Sequence, residues 1–157
     1  WIERAPKGVL SRPPSGYWIQ QRAQPKWRAW AGYTFESICL NHVYQIKKGL
    51  SIAGISTIDS GWAYRPVKKS EQGVQIDLVI DRSDNCVDLC EMKFSDIEFV
   101  IDKRYAETLR RKKQVFLEMT RTRKVPFIVM VTTYGLKQNA YCEELIDQQL
   151  TMDVLFS

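Results

Sequence analysis

Asp77, Glu91 and Lys93 stand in two short segments, V-Q-I-D-L-V-I-D over 74–81 and C-V-D-L-C-E-M-K-F over 86–94. Carboxylates supply the hard oxygen ligands that Mg²⁺ selects, and an ammonium beside them can orient a water or stabilise charge developing on a phosphate. That chemistry requires the three groups to meet. Glu91 and Lys93 are two residues apart, so on a strand they project from one face, about 6.6 Å from each other. If the two segments form a hairpin with the loop Ser83-Asp84-Asn85, Arg82 falls opposite Cys86 and, counting back, Asp77 falls opposite Glu91. Directly opposed side chains on one face have Cβ atoms about 5 Å apart. Two carboxylates that close repel, and a divalent cation between them, Mg²⁺ or Mn²⁺, removes the cost. A two-residue loop would undo the match, because a slip of one residue sends Glu91 to the other face. Gln75 shares the Asp77 face and is placed to support it. The competing reading is an ordinary solvated strand face, since E-x-K and D-x-D patterns are common and weak signals. What favours the site is the apolar character of both strands, in which unpaired charges are expensive.

The elements that must position these residues follow from periodicity and breakers. A helix is expected from about Thr34 to Lys48, with Thr34 as N-cap, Phe35, Ile38, Cys39, His42, Val43 and Ile46 as its apolar stripe, and Gly49 closing it. Within it His42 reads as a packed helix residue. Ile55 to Arg65 alternates and reads as a strand, followed by a polar loop over 66–72. The hairpin comes next. A long basic helix then runs from Asp102 to about Thr120, with Tyr105, Leu109, Val115 or Phe116, and Met119 inward. Pro126 to Thr133 is a continuous apolar run, the pattern of a strand buried on both faces. Tyr134-Gly135 ends it in a turn. Tyr141 to Gln149 reads as a short final helix before the tail T-M-D-V-L-F. The predicted fold is therefore α/β, a mixed central β-sheet flanked by helices in the order αβββαβ.

Residues 1–30 are set apart as an irregular N-terminal arm, broken by Pro6, Gly8, Pro13-Pro14, Gly16 and Pro25, with Trp18, Trp27 and Trp30 to dock it; 31–157 form the domain. The 157 residues suit one domain able to bury roughly 70% of its unfolded surface. The start W-I-E-R has neither an initiator Met nor a signal-peptide pattern, as expected of a piece of a longer chain. No apolar run approaches the ~18 residues of a membrane span. Cys39, Cys86, Cys90 and Cys142 show no C-x-x-C spacing and have only His42 for company, so they are expected as reduced thiols in a cytoplasmic protein, Cys86 and Cys90 facing the core. With 23 Lys and Arg against 18 Asp and Glu, the net charge of +5 permits a polyanionic partner. The cations concentrate on the long helix: Lys103, Arg104, Arg110, Arg111, Lys112 and Lys113, then Arg121, Arg123 and Lys124. Lys103, Arg110, Arg111 and Lys113 are the candidate nucleic-acid contacts, DNA being the expected partner.

The order helix, strand with Asp, strand with Glu-x-Lys, helix, strand resembles the PD-(D/E)XK nuclease fold, also called restriction-endonuclease-like. Asp77, Glu91 and Lys93 match its signature, and Glu36 in G-Y-T-F-E-S matches the additional helix Glu that many members carry. Ile76 stands where the family name has Pro. A longer likeness covers almost the whole chain. W-A-G-Y-T-F-E-S-I-C-L-N-H (30–42), G-V-Q-I-D-L-V-I-D-R (73–82), L-C-E-M-K-F (89–94), V-T-T-Y-G-L-K-Q-N (131–139) and the terminal L-T-M-D-V-L-F are similar to the C-terminal region of a group of bacterial and archaeal AAA-type ATPases. Those proteins place a P-loop ATPase before this region, and this sequence contains no G-x-x-x-x-G-K-[ST].

The resemblance implies metal-dependent phosphodiester hydrolysis. Asp77 and Glu91 would hold the ion with the Met92 carbonyl, Lys93 would act on the water or the transition state, and Glu36 would reach a second metal or align water. It also implies two alternatives: a catalytically inactive DNA-binding or regulatory module of such an ATPase, or a module that contacts the ATPase region itself.

Overall fold

The computed structural model describes residues 24–66 and 72–157. Two helices come first, α1 (Pro25–Asn41) and α2 (Val43–Gly49). Strands β1 (Thr57–Tyr64), β2 (Val74–Arg82) and β3 (Cys86–Lys93) follow, then α3 (Lys103–Thr120), β4 (Val125–Thr132), α4 (Ala140–Leu145), β5 (Gln148–Thr151) and a terminal 3₁₀ turn over Met152–Phe156. The five strands lie in sequence order in one mixed sheet. The β1–β2 and β2–β3 pairs are antiparallel, and α3 carries the chain over to the parallel pairs β3–β4 and β4–β5.

Alternation along the strands feeds two cores. Leu78, Ile80, Cys90, Met92, Val129 and Val131 pack on one face against Phe35 and Cys39 of α1 and Ile46 of α2. On the other face, Val79, Val87 and Leu89 meet Phe116 of α3, while Ile128 and Met130 meet Ala106 and Leu109 of the same helix. Strand β4 lies between β3 and β5 and is buried from Ile128 onward, as its unbroken apolar run predicts. All four cysteines are free; three are buried and Cys86 is half-buried. Among the described residues no helix is long and apolar enough to cross a membrane.

Several boundaries differ from expectation. The helix start lies at Pro25, not Thr34, so Trp27 and Trp30, assigned above to the arm, are helical. Pro25 breaks a helix only from within; at the first turn its missing N–H costs nothing. Residues 1–23, including Trp18, lie outside the described residues. The expected single helix to Lys48 breaks at His42, whose Nδ1 lies 2.7 Å from the Ile38 carbonyl and whose backbone leaves the helical region. Met119, expected inward, is 49% exposed. The final helix stops at Leu145, because Ile146 is extended and Asp147 returns the chain to β4: its N–H donates to the Ile128 carbonyl and its carboxylate accepts the Ile128 N–H. The next four residues form the edge strand β5, too short to declare itself by alternation. Gly135, in the turn after β4, has φ +91, which glycine adopts without penalty.

The β2–β3 hairpin has the expected three-residue loop. Asn85 closes it at φ 64, the left-handed residue such loops need, and its carbonyl accepts the Val125 N–H that starts β4. Asn85→Gly should leave stability unchanged or slightly higher in urea unfolding, whereas Asn85→Val should cost about 1–2 kcal/mol. A Val variant as stable as wild type would show that the loop does not depend on that conformation.

Candidate active site at the bulge of strand β2

The expected β2–β3 register is present: Leu78 pairs with Cys90, Val79 with Leu89, Ile80 with Asp88 and Asp81 with Val87. The expected face of Asp77 is not. On its other side β2 pairs Val79 with Ser60 but Ile76 with Trp62, so Asp77 and Leu78 together face the single residue Gly61. This is a β-bulge, which re-aims side chains and loosens the adjoining ladder. Ile76 now falls on the α3 side with Val79. Asp77 turns with Leu78 toward α1, where it lines a cavity of about 290 Å³ with Arg28, Tyr33, Glu36, Met92 and Lys93. Its Oδ2 accepts the backbone N–H of Met92 at 2.9 Å, just past the last ladder pair. The simple picture of Asp77 and Glu91 side by side on one face is corrected accordingly: a side-chain carboxylate takes the place of a ladder bond.

Glu36 comes to the same cavity from α1. Burial and, after it, the charge of Asp77 hold its carboxyl above the ordinary value, with Lys93 and Lys112 pulling it back. The helix is seated by Phe94 at the end of β3, whose ring lies 5.7 Å from Trp27 and 6.4 Å from Phe35. Cys39, one turn further on, is pushed up to about 12 by burial and by Asp77, so it is an inert thiol. Lys93 joins the two sides of the site: it lines the Asp77 cavity, and its Nζ lies 5.4 Å from the Tyr105 ring centre on α3.

Glu91 lies on the α3 side with Leu89 and is only 3% exposed. Both its oxygens are 2.6 Å from Lys112 Nζ. Burial pushes its carboxyl up to about 7; Lys112 opposes that rise and Asp77 adds to it. Among the described residues the buried Tyr105 hydroxyl has no hydrogen-bond partner, and the charges of Glu91 and Asp77 act on it after burial itself.

The basic helix divides its cations among several tasks. Arg110 makes a bidentate pair with Glu144 at 2.8 Å. Arg111 donates to the Gln72 carbonyl and side chain, and Lys124, beyond the end of α3, reaches Asp81 and the Arg82 carbonyl. Lys113 lines a small cavity beside Glu91 and Leu109. Lys103 is exposed. Gln75 lines not the Asp77 cavity but a groove of about 450 Å³ shared with Arg104, Glu107, Thr108, Arg111 and Lys112. Sequence reasoning counted Arg104 and Lys112 within the cationic cluster without separating them from it. Nothing along a basic helix distinguishes the lysine that meets a buried carboxylate on another element.

Among the described residues no three His, Cys, Asp or Glu side chains gather closely enough to enclose an ion. The donor set still fits an open divalent site. Asp77 and Glu36 offer hard oxygens in one solvent-reaching cavity. Mg²⁺ is usually held by one or two carboxylates together with water and phosphate. Comparison with protein-family models, curated proteins and solved structures finds no match for the chain.

A stability prediction follows from Glu91. In the folded protein its carboxyl titrates near 7, but in the unfolded chain near 4.5. Its contribution is therefore fully present below 4.5 and lost as pH rises through about 7. Urea unfolding at pH 5, 6 and 7 should show wild type losing stability relative to Glu91→Gln as pH rises, by ~3 kcal/mol at most. A wild type that gains on the variant over that range would contradict the assignment.

Proposed function

We propose that this chain is a divalent-metal-dependent nuclease that hydrolyses phosphodiesters of nucleic acid, DNA foremost, at the cavity beside the β2 bulge, with Mg²⁺ or Mn²⁺ as cofactor. The observation that supports this most is convergence: Glu36 from α1, Asp77 from β2 and Lys93 from β3 line one open cavity. Asp77 and Glu36 are the carboxylates that would hold the ion there, while Glu91 lies on the α3 side of the sheet, paired with Lys112. A bound divalent ion supplies Lewis acidity, lowering the pKa of its water and offsetting charge on the phosphate under attack. The Met92 N–H fixes one Asp77 oxygen and so orients the other. Lys93 carries a compact positive charge into the same cavity, suited to stabilise negative charge as it develops in the transition state. Arg28 at the cavity rim, and Lys103 and Arg104 on α3, are cations that can take the flanking backbone, and such binding weakens steeply with salt.

A second reading, a DNA-binding or regulatory module without turnover, is favoured by one observation: Lys112 already occupies both oxygens of Glu91. The likeness to the C-terminal region of AAA-type ATPases supports an ATPase region of a parent chain as a further partner. The four free thiols support a cytoplasmic setting.

The test is incubation with supercoiled and branched DNA in Mn²⁺ and in EDTA. Asp77→Ala, Glu36→Ala and Lys93→Ala should each lower Mn²⁺-dependent cleavage by at least ~10²-fold, with the fold intact by circular dichroism. Lys93→Ala should still bind Mn²⁺, because it acts on the transition state. Cleavage by Asp77→Ala at the wild-type rate would overturn the proposal, and binding without cleavage by wild type would favour the module reading.

A further inference from the structure

We infer that the cavity of Glu36 and Asp77 takes a single strand of nucleic acid, with the exposed ring of Tyr33 stacking on an unpaired base next to the phosphodiester under attack. The inference rests on the metal-dependent reading above and names its substrate class: a strand with unpaired bases, in place of an intact duplex.

Three observations carry it. First, one face of α1 walls the cavity in two rows. Arg28, Gly32 and Glu36 follow each other at four-residue spacing, and Ala29 and Tyr33 do the same beside them. Arg28 and Glu36 stand about 12 Å apart along the helix axis, with Tyr33 between them. Second, Gly32 leaves that wall open. A Cβ built there would meet no atom within 4 Å, so no contact within the fold requires the side chain to be missing. Glycine inside a helix is also less stable than alanine. The space it leaves is free for what enters the cavity. Third, the Tyr33 ring is 73% exposed, and among the described residues it meets no other aromatic ring. An exposed tyrosine alone is ordinary surface. Tyr33 differs because it borders the same cavity as both carboxylates and the cations Arg28 and Lys93.

These residues match the parts of a nucleotide in order along the helix. Glu36 and Asp77 face the phosphodiester under attack, and the ring of Tyr33 faces the adjoining base. The Arg28 side chain, 67% exposed and 3.9 Å from Asp96, can turn to the next phosphate. A base inside a duplex has both faces covered by its neighbours, so only an unpaired base can offer a face to the ring. Every base has such a face, so the contact selects unpaired strand without selecting sequence.

The experiment compares wild type with Tyr33→Ala, Tyr33→Phe and Gly32→Leu, none of which removes a core contact. Cleavage in Mn²⁺ is measured on an oligothymidine strand carrying one 2-aminopurine, and on the same strand annealed into a blunt duplex. Binding of the single strand is read, with Ca²⁺ in place of Mn²⁺, from the 2-aminopurine fluorescence, which stacking on an aromatic ring quenches. Wild type should cleave the single strand several-fold faster than the duplex and quench the probe. Tyr33→Ala should lose the quenching and lower kcat/KM on the single strand by ~10-fold, mostly through KM. Gly32→Leu should behave like Tyr33→Ala, and Tyr33→Phe like wild type. If wild type cleaves strand and duplex equally, or Tyr33→Ala cleaves and quenches as wild type does, the stacking is wrong while the metal-dependent reading stands. If neither substrate is cleaved, the nuclease reading falls; loss of quenching in Tyr33→Ala would then uphold the stacking, and its persistence would overturn it.

Discussion

Between Ile76 and Val79, strand β2 carries one residue more than the stretch of β1 that faces it. Without that residue, strict alternation would send Asp77 to the α3 side with Val79 and Asp81, onto the same apolar surface as Leu89. With it, Ile76 fills that surface and Asp77 turns to α1, where Glu36 and Lys93 reach it. The β2–β3 ladder then has no pair beyond Leu78 and Cys90, and the Asp77 carboxylate takes the Met92 N–H. The site therefore depends on a local irregularity at the point where an antiparallel hairpin is losing its partner. Bulges beside active sites serve to aim side chains in this way.

Around the bulge, the physical problem is buried charge. Glu91 and Asp88 both lie on β3, each 3% exposed. Each is answered from another element, Glu91 by Lys112 of α3 and Asp88 by Arg82 at the end of β2, 3.4 Å away. Burial still raises both carboxyls. Such pairs contribute little net stability compared with apolar residues of the same volume, while breaking one is expensive.

Much of this was legible in the sequence. The three-residue loop set the β2–β3 register, and alternation identified the faces of β3 and the burial of β4. Asp77 and Lys93 were singled out by residue type and spacing and Glu36 by the family resemblance, and the three line one cavity. The bulge was not legible. Q-I-D-L contains no Gly or Pro to mark it, and only β1, whose pairing the pattern does not specify, reveals the extra residue. Pro25 misled for a related reason, since a proline reads as a breaker unless the helix beyond it is already known. β5 is four residues long and pairs through its backbone, so its side chains gave no signal. Lys112 was invisible as a special residue among the cations of α3, because its partner lies 21 positions away on another element.

The central claim is that the cavity of Glu36, Asp77 and Lys93 takes a divalent cation. Paramagnetic broadening tests it most directly. Substoichiometric Mn²⁺ added to nitrogen-labelled protein should selectively erase the backbone amide signals of Glu36, Asp77, Met92 and Lys93, and Mg²⁺ in excess should restore them. Broadening centred on other acidic residues, such as Glu143 and Glu144 on α4, or no selective broadening at all, would contradict it.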